Sequence, residues 1–434
     1  MSFVHPAEEM TLFNRQKGLS VRRKAVLFSI LVLPIFSWAL AYTSYAGGPV
    51  HGTKAASMGA AFVAVADDPS AIMHNPAGLT NLPGTHLYAG GTFVIPSSKY
   101  KSPNGDSEET DFQVFFPPHL YVSSDFGMED LVLGLGVYSP FGIGGRKWDD
   151  KGLTRYASVE SMIATMSVNP TVAWQPLPNV SVGLGVDYMW SFNEAERTLD
   201  QSSVGGGDAK LELDADGCGW GYNLGILLFP QGKFSVGLAY RSEIEIDQSG
   251  SITLKGIAEA LQPAFGGSRF KTDMDTTLDF PQMVNCGVAY RPTAALTLGL
   301  ELEWTGSSSF DKRVVDIKGE VPEAGFSDST IPLDWEDMWR VSAGVEYKAN
   351  ERLALRGGYT FMKNQVPEHT LDPANPDSDQ HVFTLGLGYK MNKIILDAFY
   401  MVAFYEDRKV DNAILSGDYE NLYHYMGFSW GYSF

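Results

Sequence analysis

The chain has only two cysteines and eight histidines in 434 residues, and it is short of positive charge, with 32 Lys and Arg against 51 Asp and Glu. A net charge of −19 argues against nucleic acid as a partner, because binding to phosphates rests on neutralising lysines and arginines. His51, His74, His86, His119, His369, His381 and His424 are scattered, without the ligand spacing of a zinc site. The GxG triplets at 134, 183 and 386 lie inside alternating stretches and open no helix, which removes a nucleotide-binding reading. The acidic stretch 372–379 is broken by Pro373 and Pro376 and lacks a calcium-loop pattern. No cofactor and no metal are expected.

Long apolar runs are scarce too. One extends from Ala25 to about Ala41. Arg22, Arg23 and Lys24 precede it and small residues at Ser44 and Ala46 follow, the pattern of a secretory signal over residues 1–46. A single transmembrane anchor is the other reading, and Pro34 and the shortness of the run count against it. The rest carries 27 basic against 49 acidic side chains, a net −22. Cysteines in an exported chain suggest a disulfide. Here Cys218 is in phase with Trp220, Tyr222 and Leu224, and Cys286 with Val284 and Val288, so both are predicted to face outward on strands that another strand separates.

What the chain does have is strict alternation. Met426, Phe428, Trp430, Tyr432 and the final Phe434 share one face, with Gly427, Ser429, Gly431 and Ser433 on the other. Val180 to Trp190 and Phe234 to Tyr240 repeat the pattern, and in Leu296 to Trp304 the polar face includes Glu301 and Glu303. Period two with apolar and aromatic residues outside, and glycine and charge inside, describes a membrane barrel wall. The mean hydropathy of −0.09 is no objection, because such a wall is wet on half of every strand. Short links near 126–130, 175–179, 229–233, 291–294, 348–351 and 390–392 alternate with polar stretches at 96–115, 139–161, 194–217, 247–276, 305–336, 362–379 and 403–420. They predict an all-β transmembrane antiparallel barrel of about 14 strands over residues 84–434.

Residues 47–83 are rich in Gly and Ala and do not alternate. Asp68 and Pro69 suit a helix start, and Pro76 disfavours helix at Asn75, so one short turn is expected between them. Small side chains would let this segment pack inside the lumen as a plug. Its ADDPSAIMHNPAGL core (66–79) resembles the N-terminal hatch of the FadL family of outer-membrane transporters for long-chain fatty acids and other hydrophobic compounds. The likeness continues in family order through GLGVYSPFG (134–142), RYAS (155–158), Asn169-Pro170, YRSE (240–243), LDFP (278–281), LEWTGSSSFDK (302–312), DMWR (337–340) and GFSWGYSF at the end.

The resemblance implies a barrel of the Gram-negative outer membrane with the hatch inside. It also implies a gating role for Asn75, Pro76 and Ala77, and a lateral exit at a kinked third strand. By local pattern alone that tripeptide is equally a turn that starts the first strand. Gly134, Gly136 and Pro140 are candidates for the kink, although glycines also fill lumen positions of other strands.

Leu254, Ile257, Ala258, Leu261 and Phe265 fall near helical spacing, which predicts an amphipathic helix in an outer loop. That helix either caps the loop core or, with Phe141 and Ile143, forms an outer apolar groove. Arg241, Arg340 and Arg356 are candidate headgroup contacts, set among Asp187, Glu243, Glu301, Glu303, Glu346 and Asp397. Most of these are expected to pair with one another.

The expected function is passive uptake of long-chain fatty acids or similar hydrophobic molecules, with aromatic hydrocarbons as the alternative. The expected partners are that ligand, outer-membrane lipids and the barrel-assembly machinery acting through the last strand, for a monomer. A lipid hydrolase built on Ser429 or Ser433 near His424, a general porin and an adhesin are the competing classes, and none of them uses every feature. No enzyme activity is expected.

Overall fold

The computed structural model describes residues 51–434 except Gly325, so the expected signal at 1–46 lies outside the described residues. Fourteen antiparallel strands form the wall. They are β1 Thr85–Lys101, β2 Pro118–Ser124, β3 Leu131–Tyr138 with Ile143–Lys147, β4 Glu160–Leu177, β5 Val180–Leu199, β6 Ala209–Leu228 and β7 Phe234–Arg241 with Ile244–Lys255. The series continues with β8 Arg269–Phe280 and Met283–Thr293, β9 Leu296–Thr305 and Lys312–Ile317, and β10 Ser329–Pro332 and Met338–Lys348. It finishes with β11 Leu353–Met362, β12 Gln380–Met391, β13 Ile394–Tyr405 and β14 Gly417–Ser433. β14 pairs with β1 from His86↔Ser433 to Lys101↔Asp418, which closes the sheet and removes its edges.

The alternation places side chains as it predicts over the lower wall. Leu184, Val186, Trp190, Leu238, Leu300, Leu302, Phe428 and Trp430 are exposed outward, while Ser181, Asp187, Glu301 and Ser429 are buried inside. Cys218 and Cys286 are free and exposed, and β7 runs between their strands.

Above that level the pattern inverts. On β7 the inner residues Arg241 and Ala239 give way to Ile244 and Ile246, and the outer residues become Glu245 and Asp247. β8 changes in step, with Phe280 and Leu278 inside and Asp279 and Thr277 outside. Two-residue interruptions in both strands, next to Arg241↔Met283 and Ile244↔Phe280, mark the change. Water outside and an apolar lumen explain it, since the outer face no longer touches lipid. Stretches 194–217 and 247–276, expected to be loops because they are polar, are therefore largely strand.

Residues 51–82 lie within the wall. They form helix α1 (Thr53–Ser57), helix α2 (Ala71–His74) and a 3₁₀ turn over Pro76–Asn81. The expected turn before Asn75 exists: Asp68 accepts from the Ser70 N–H and hydroxyl (2.7 and 2.5 Å), as a cap does, Pro69 and Ser70 form a turn, and the α-helical residues begin at Ala71.

Candidate functional site

Close approach of two backbones sets the geometry of the lumen. Wall glycines stand at many of the places where the N-terminal segment comes against the sheet. A side chain at Gly183 would strike Pro76 and Ala77, one at Gly225 would strike Asn75, and one at Gly237 would strike Val63. Gly299, Gly344 and Gly358 leave the same room for Ala61, Met58 and Gly59. Gly134 and Gly136 belong to this set, since the Ile72 side chain fills the space beside both, at 2.9 Å from where each Cβ would stand.

Lumen side chains then hold the segment by its backbone. The Glu301 carboxylate accepts from Phe62 N and Val63 N (2.8 and 2.7 Å), Thr360 donates to Gly59 O (2.6 Å), and Asn223 donates to Ile72 O (2.8 Å). Asn75 is fully buried. Its amide donates to Val63 O and Ile226 O (2.8 and 3.0 Å) and its carbonyl accepts from Ala77 N (3.2 Å), so it ties two parts of the segment to β6. Pro76 opens the 3₁₀ turn, where its missing N–H costs nothing.

The three candidate arginines all meet carboxylates. Arg241 pairs with Asp187 and also donates to Tyr138 Oη (3.1 Å). Arg340 pairs with Glu303 and Glu301 (2.6 and 3.4 Å), and Arg356 with Glu346 and Asp397 (2.7 and 2.5 Å). Lys54 reaches Asp67 and Glu346 (2.8 and 3.3 Å). Buried pairs of this kind offset one another's desolvation. Arg340 Nε is buried without a partner. It lies beside a cavity of about 30 Å³ bordered by His51, His74, Pro76, Arg241, Asn285 and Glu303. That is room for about one water molecule.

Apolar residues meet this polar floor from above. Phe141, Ile163, Met189, Ile244, Ile246, Leu278, Phe280, Met283 and Phe310 form one buried cluster, with Leu333 and Trp335 against it. Met283 also borders the cavity. Sequence reasoning missed this tract, although the IEID and TLDF alternations carry its signal in inverted phase.

Phe141 packs here, 4.7 Å from Phe280, and not with the expected outer groove. Leu254, Ile257 and Phe265 do cluster, with Val321 and with Leu261 against them. The expected helix is reduced to Gln262–Phe265, because Leu254 is still in β7 and Gly256, at φ 77, turns the chain. Ile143 is half-buried on the second piece of β3.

β3 is interrupted at 139–142, with Gly142 at φ 86 donating to Ser139 O (3.0 Å). Its first piece pairs with β2 up to Leu120↔Val137, and its second piece, of which Ile143 is the first residue, pairs with β4. Asp111 N reaches Lys147 O (2.8 Å) higher up. Between these levels no backbone bond joins β2 to β3 among the described residues, while Phe141 N and Gly142 O still bond Thr165 of β4 (3.3 and 3.1 Å). Here the Pro140 carbonyl accepts from His51 (3.1 Å), and His51 O in turn accepts from His74 (2.7 Å). Burial lowers both imidazole pKa values, that of His74 to about 4, with Arg340 and Arg241 adding to the effect.

The serines named for hydrolase chemistry bond other histidines than His424. His424 bonds Tyr400 (2.7 Å) and Ser433 bonds His86 (3.0 Å). Ser429 meets His119 (2.8 Å), but Thr53 covers it and both residues are buried.

A closed 14-strand barrel with lipid outside, charge and glycine inside and a folded N-terminal segment in its lumen is an outer-membrane transport protein by architecture. The chain belongs to the outer membrane protein transport protein family (OMPP1/FadL/TodX), whose model matches residues 38–434. It is similar to the long-chain fatty acid transport protein of Escherichia coli O6:H1, with 22% identity covering 87% of this chain and 90% of the relative. Its fold matches the crystal structure of a Pseudomonas aeruginosa FadL homologue, with a TM-score of 0.80 and 20% identity over 90% of this chain and 100% of that one. It also matches the P. putida toluene transporter TodX, with a TM-score of 0.71 and 16% identity over 89% and 99%. The protein is placed in the outer membrane of a Gram-negative bacterium.

Proposed function

We propose that the protein takes up long-chain fatty acids or similar amphiphiles passively, with residues 47–83 as its hatch. The observation that carries this reading is the lumen itself, where an apolar tract from Phe310 to Met283 ends on a polar floor holding Arg340 and Arg241. An alkyl chain gains about 0.8 kcal/mol per buried methylene in such a tract, and a carboxylate suits an arginine with a spare donor. Of the three candidate arginines, Arg340 has that donor.

A cavity of about 30 Å³ admits no alkyl chain, so passage requires the hatch to move. Asn75, Pro76 and Ala77 form the joint between hatch and wall, and their release loosens Val63 as well. The open β2–β3 seam beside Pro140, tied to the hatch through His51, provides the sideways exit into the bilayer. Aromatic hydrocarbons are the second reading, favoured by the carboxylates that already occupy the lumen arginines. The protein acts as a monomer without enzymatic activity, and β14 is its signal to the assembly machinery.

A reversible staple tests the gate. Thr53→Cys with Ser429→Cys, in a Cys218→Ser, Cys286→Ser background, joins hatch and wall where their hydroxyls touch. Uptake should stop on oxidation and return on reduction; equal uptake in both states would remove the gating role.

A further inference from the structure

Four arginines are buried in the described wall, Arg146, Arg241, Arg340 and Arg356, and among them Arg146 alone has no described carboxylate within ion-pair distance. It sits on the second piece of β3, opposite Ser161 of β4, toward the outer mouth. Its donors go to neutral oxygens. Nε reaches Ser98 Oγ (3.0 Å), one Nη reaches Ala374 O (2.9 Å) and the other Tyr423 Oη, with the Tyr423 ring 5.7 Å from the guanidinium carbon. A buried guanidinium without a counter-ion is costly, and one that meets only neutral acceptors has exchanged strong bonds for weaker ones.

Two surroundings of Arg146 give it a role. Below, Tyr423 belongs to a second apolar cluster, which includes Met401, Phe399, Val382 and Phe115 and reaches Ala56 of the hatch. Across it lies the segment 363–379, held by its carbonyls: Trp148 donates to Pro373 O (3.0 Å) and Asn421 to Pro376 O (2.7 Å). The nearby Asp372 carboxylate is committed to Ala374 N and Asn375 N (2.7 and 3.1 Å).

We propose that Arg146 is the receiving site for the carboxylate of an entering monoanionic amphiphile, which displaces the Ala374 carbonyl and lays its alkyl chain on the tract below Tyr423. The exchange replaces one neutral acceptor by two charged oxygens in the fork geometry of a guanidinium. It also removes one of the contacts that hold the segment over the mouth, leaving Ser161 on the Ala374 carbonyl (3.5 Å) and Arg408 on the Val366 and Asp377 carbonyls (2.8 Å each). The site rests on the uptake reading above and narrows its substrate to molecules with a single acidic headgroup.

The test compares tritiated oleate with tritiated oleyl alcohol, the same chain without the charge, in cells that lack other fatty acid transporters. With Arg146→Gln, oleate uptake at limiting concentration should fall at least about tenfold relative to the alcohol, the scale of a lost charged bidentate contact. Arg146→Lys should lie between. Equal changes for both probes, or none, would overturn the site. Should the variants fail to fold, a photoreactive oleate with its diazirine beside the carboxylate tests the wild-type protein. Labelling of peptides that contain Ser98, Ala374 or Tyr423 supports the site, and labelling confined elsewhere overturns it. Wild-type cells that take up neither probe would sink the transport reading itself, and this site with it.

Discussion

Glu301→Gln should release the hatch while sparing the barrel. In the native protein one carboxylate oxygen accepts from Phe62 N and Val63 N, and the other faces Asn285 and Arg340. The amide keeps the shape but loses the charge. Hydrogen bonds to a charged acceptor contribute about 1.5–3 kcal/mol and neutral ones about 0.5–1.5, so two weakened bonds cost the docked hatch about 2 kcal/mol. That shifts the docked-to-released ratio by about 30-fold. The assay is the rate at which a water-soluble maleimide modifies Ala64→Cys, a buried hatch position, in the cysteine-free background. Labelling should accelerate by about that factor, while the unheated protein still migrates as a folded barrel. An unchanged rate with a folded barrel would refute the claim that Glu301 holds the hatch.

Three further outcomes follow from the same geometry. Gly225→Ala places a methyl against Asn75 Oδ1, so it should expose the hatch as Asn75→Ala does; maleimide access to Ala64→Cys that is unaltered in both would count against the seat. Phe280→Ser puts a polar group in the apolar tract beside Phe141, and oleate uptake should fall by about tenfold or more while the barrel folds normally. His74 is held neutral, with its pKa lowered from 6.5 to about 4. At His74 the released hatch binds a proton that the docked one refuses, so this residue's contribution to docking is fully present above pH 6.5 and is lost as pH falls toward 4; Asp68, raised to about 6 by burial, works in the opposite sense. Labelling of Ala64→Cys, corrected for thiol reactivity, should increase more across that window in the wild-type hatch than with His74→Gln; equal pH profiles would refute the role of His74.

The lower wall was legible because lipid and lumen impose opposite demands on successive residues. Leu296 to Trp304 reads as strand, with its carboxylates inward, from period alone. The extensions above it were not legible as strands, because water replaces lipid outside and Ile244, Ile246, Leu278 and Phe280 turn inward, so charged outer positions made 247–276 look like loop. The outer apolar helix failed for a related reason. Leu254 to Phe265 satisfies a helical spacing, yet Leu254 is fixed by its ladder partners Leu211 and Phe270, a tertiary demand that local spacing does not carry.

The candidate site divides in the same way. That Asn75, Pro76 and Ala77 form a unit was visible in the tripeptide, whereas its contacts on Gly183 and Gly225 depend on how far the hatch reaches across the lumen. Arginines in lumen phase could be named, but only the register reveals that Glu346 faces Arg356 while Arg146 faces no carboxylate.

The most direct test of the transport claim is uptake of radiolabelled oleate by cells deprived of their own fatty acid transporter, with and without this protein in the outer membrane. Uptake that depends on the protein, saturates with oleate and stops when Thr53→Cys and Ser429→Cys are oxidised is the predicted result. A folded, membrane-inserted barrel that adds nothing to the uptake of oleate or of toluene would contradict the account.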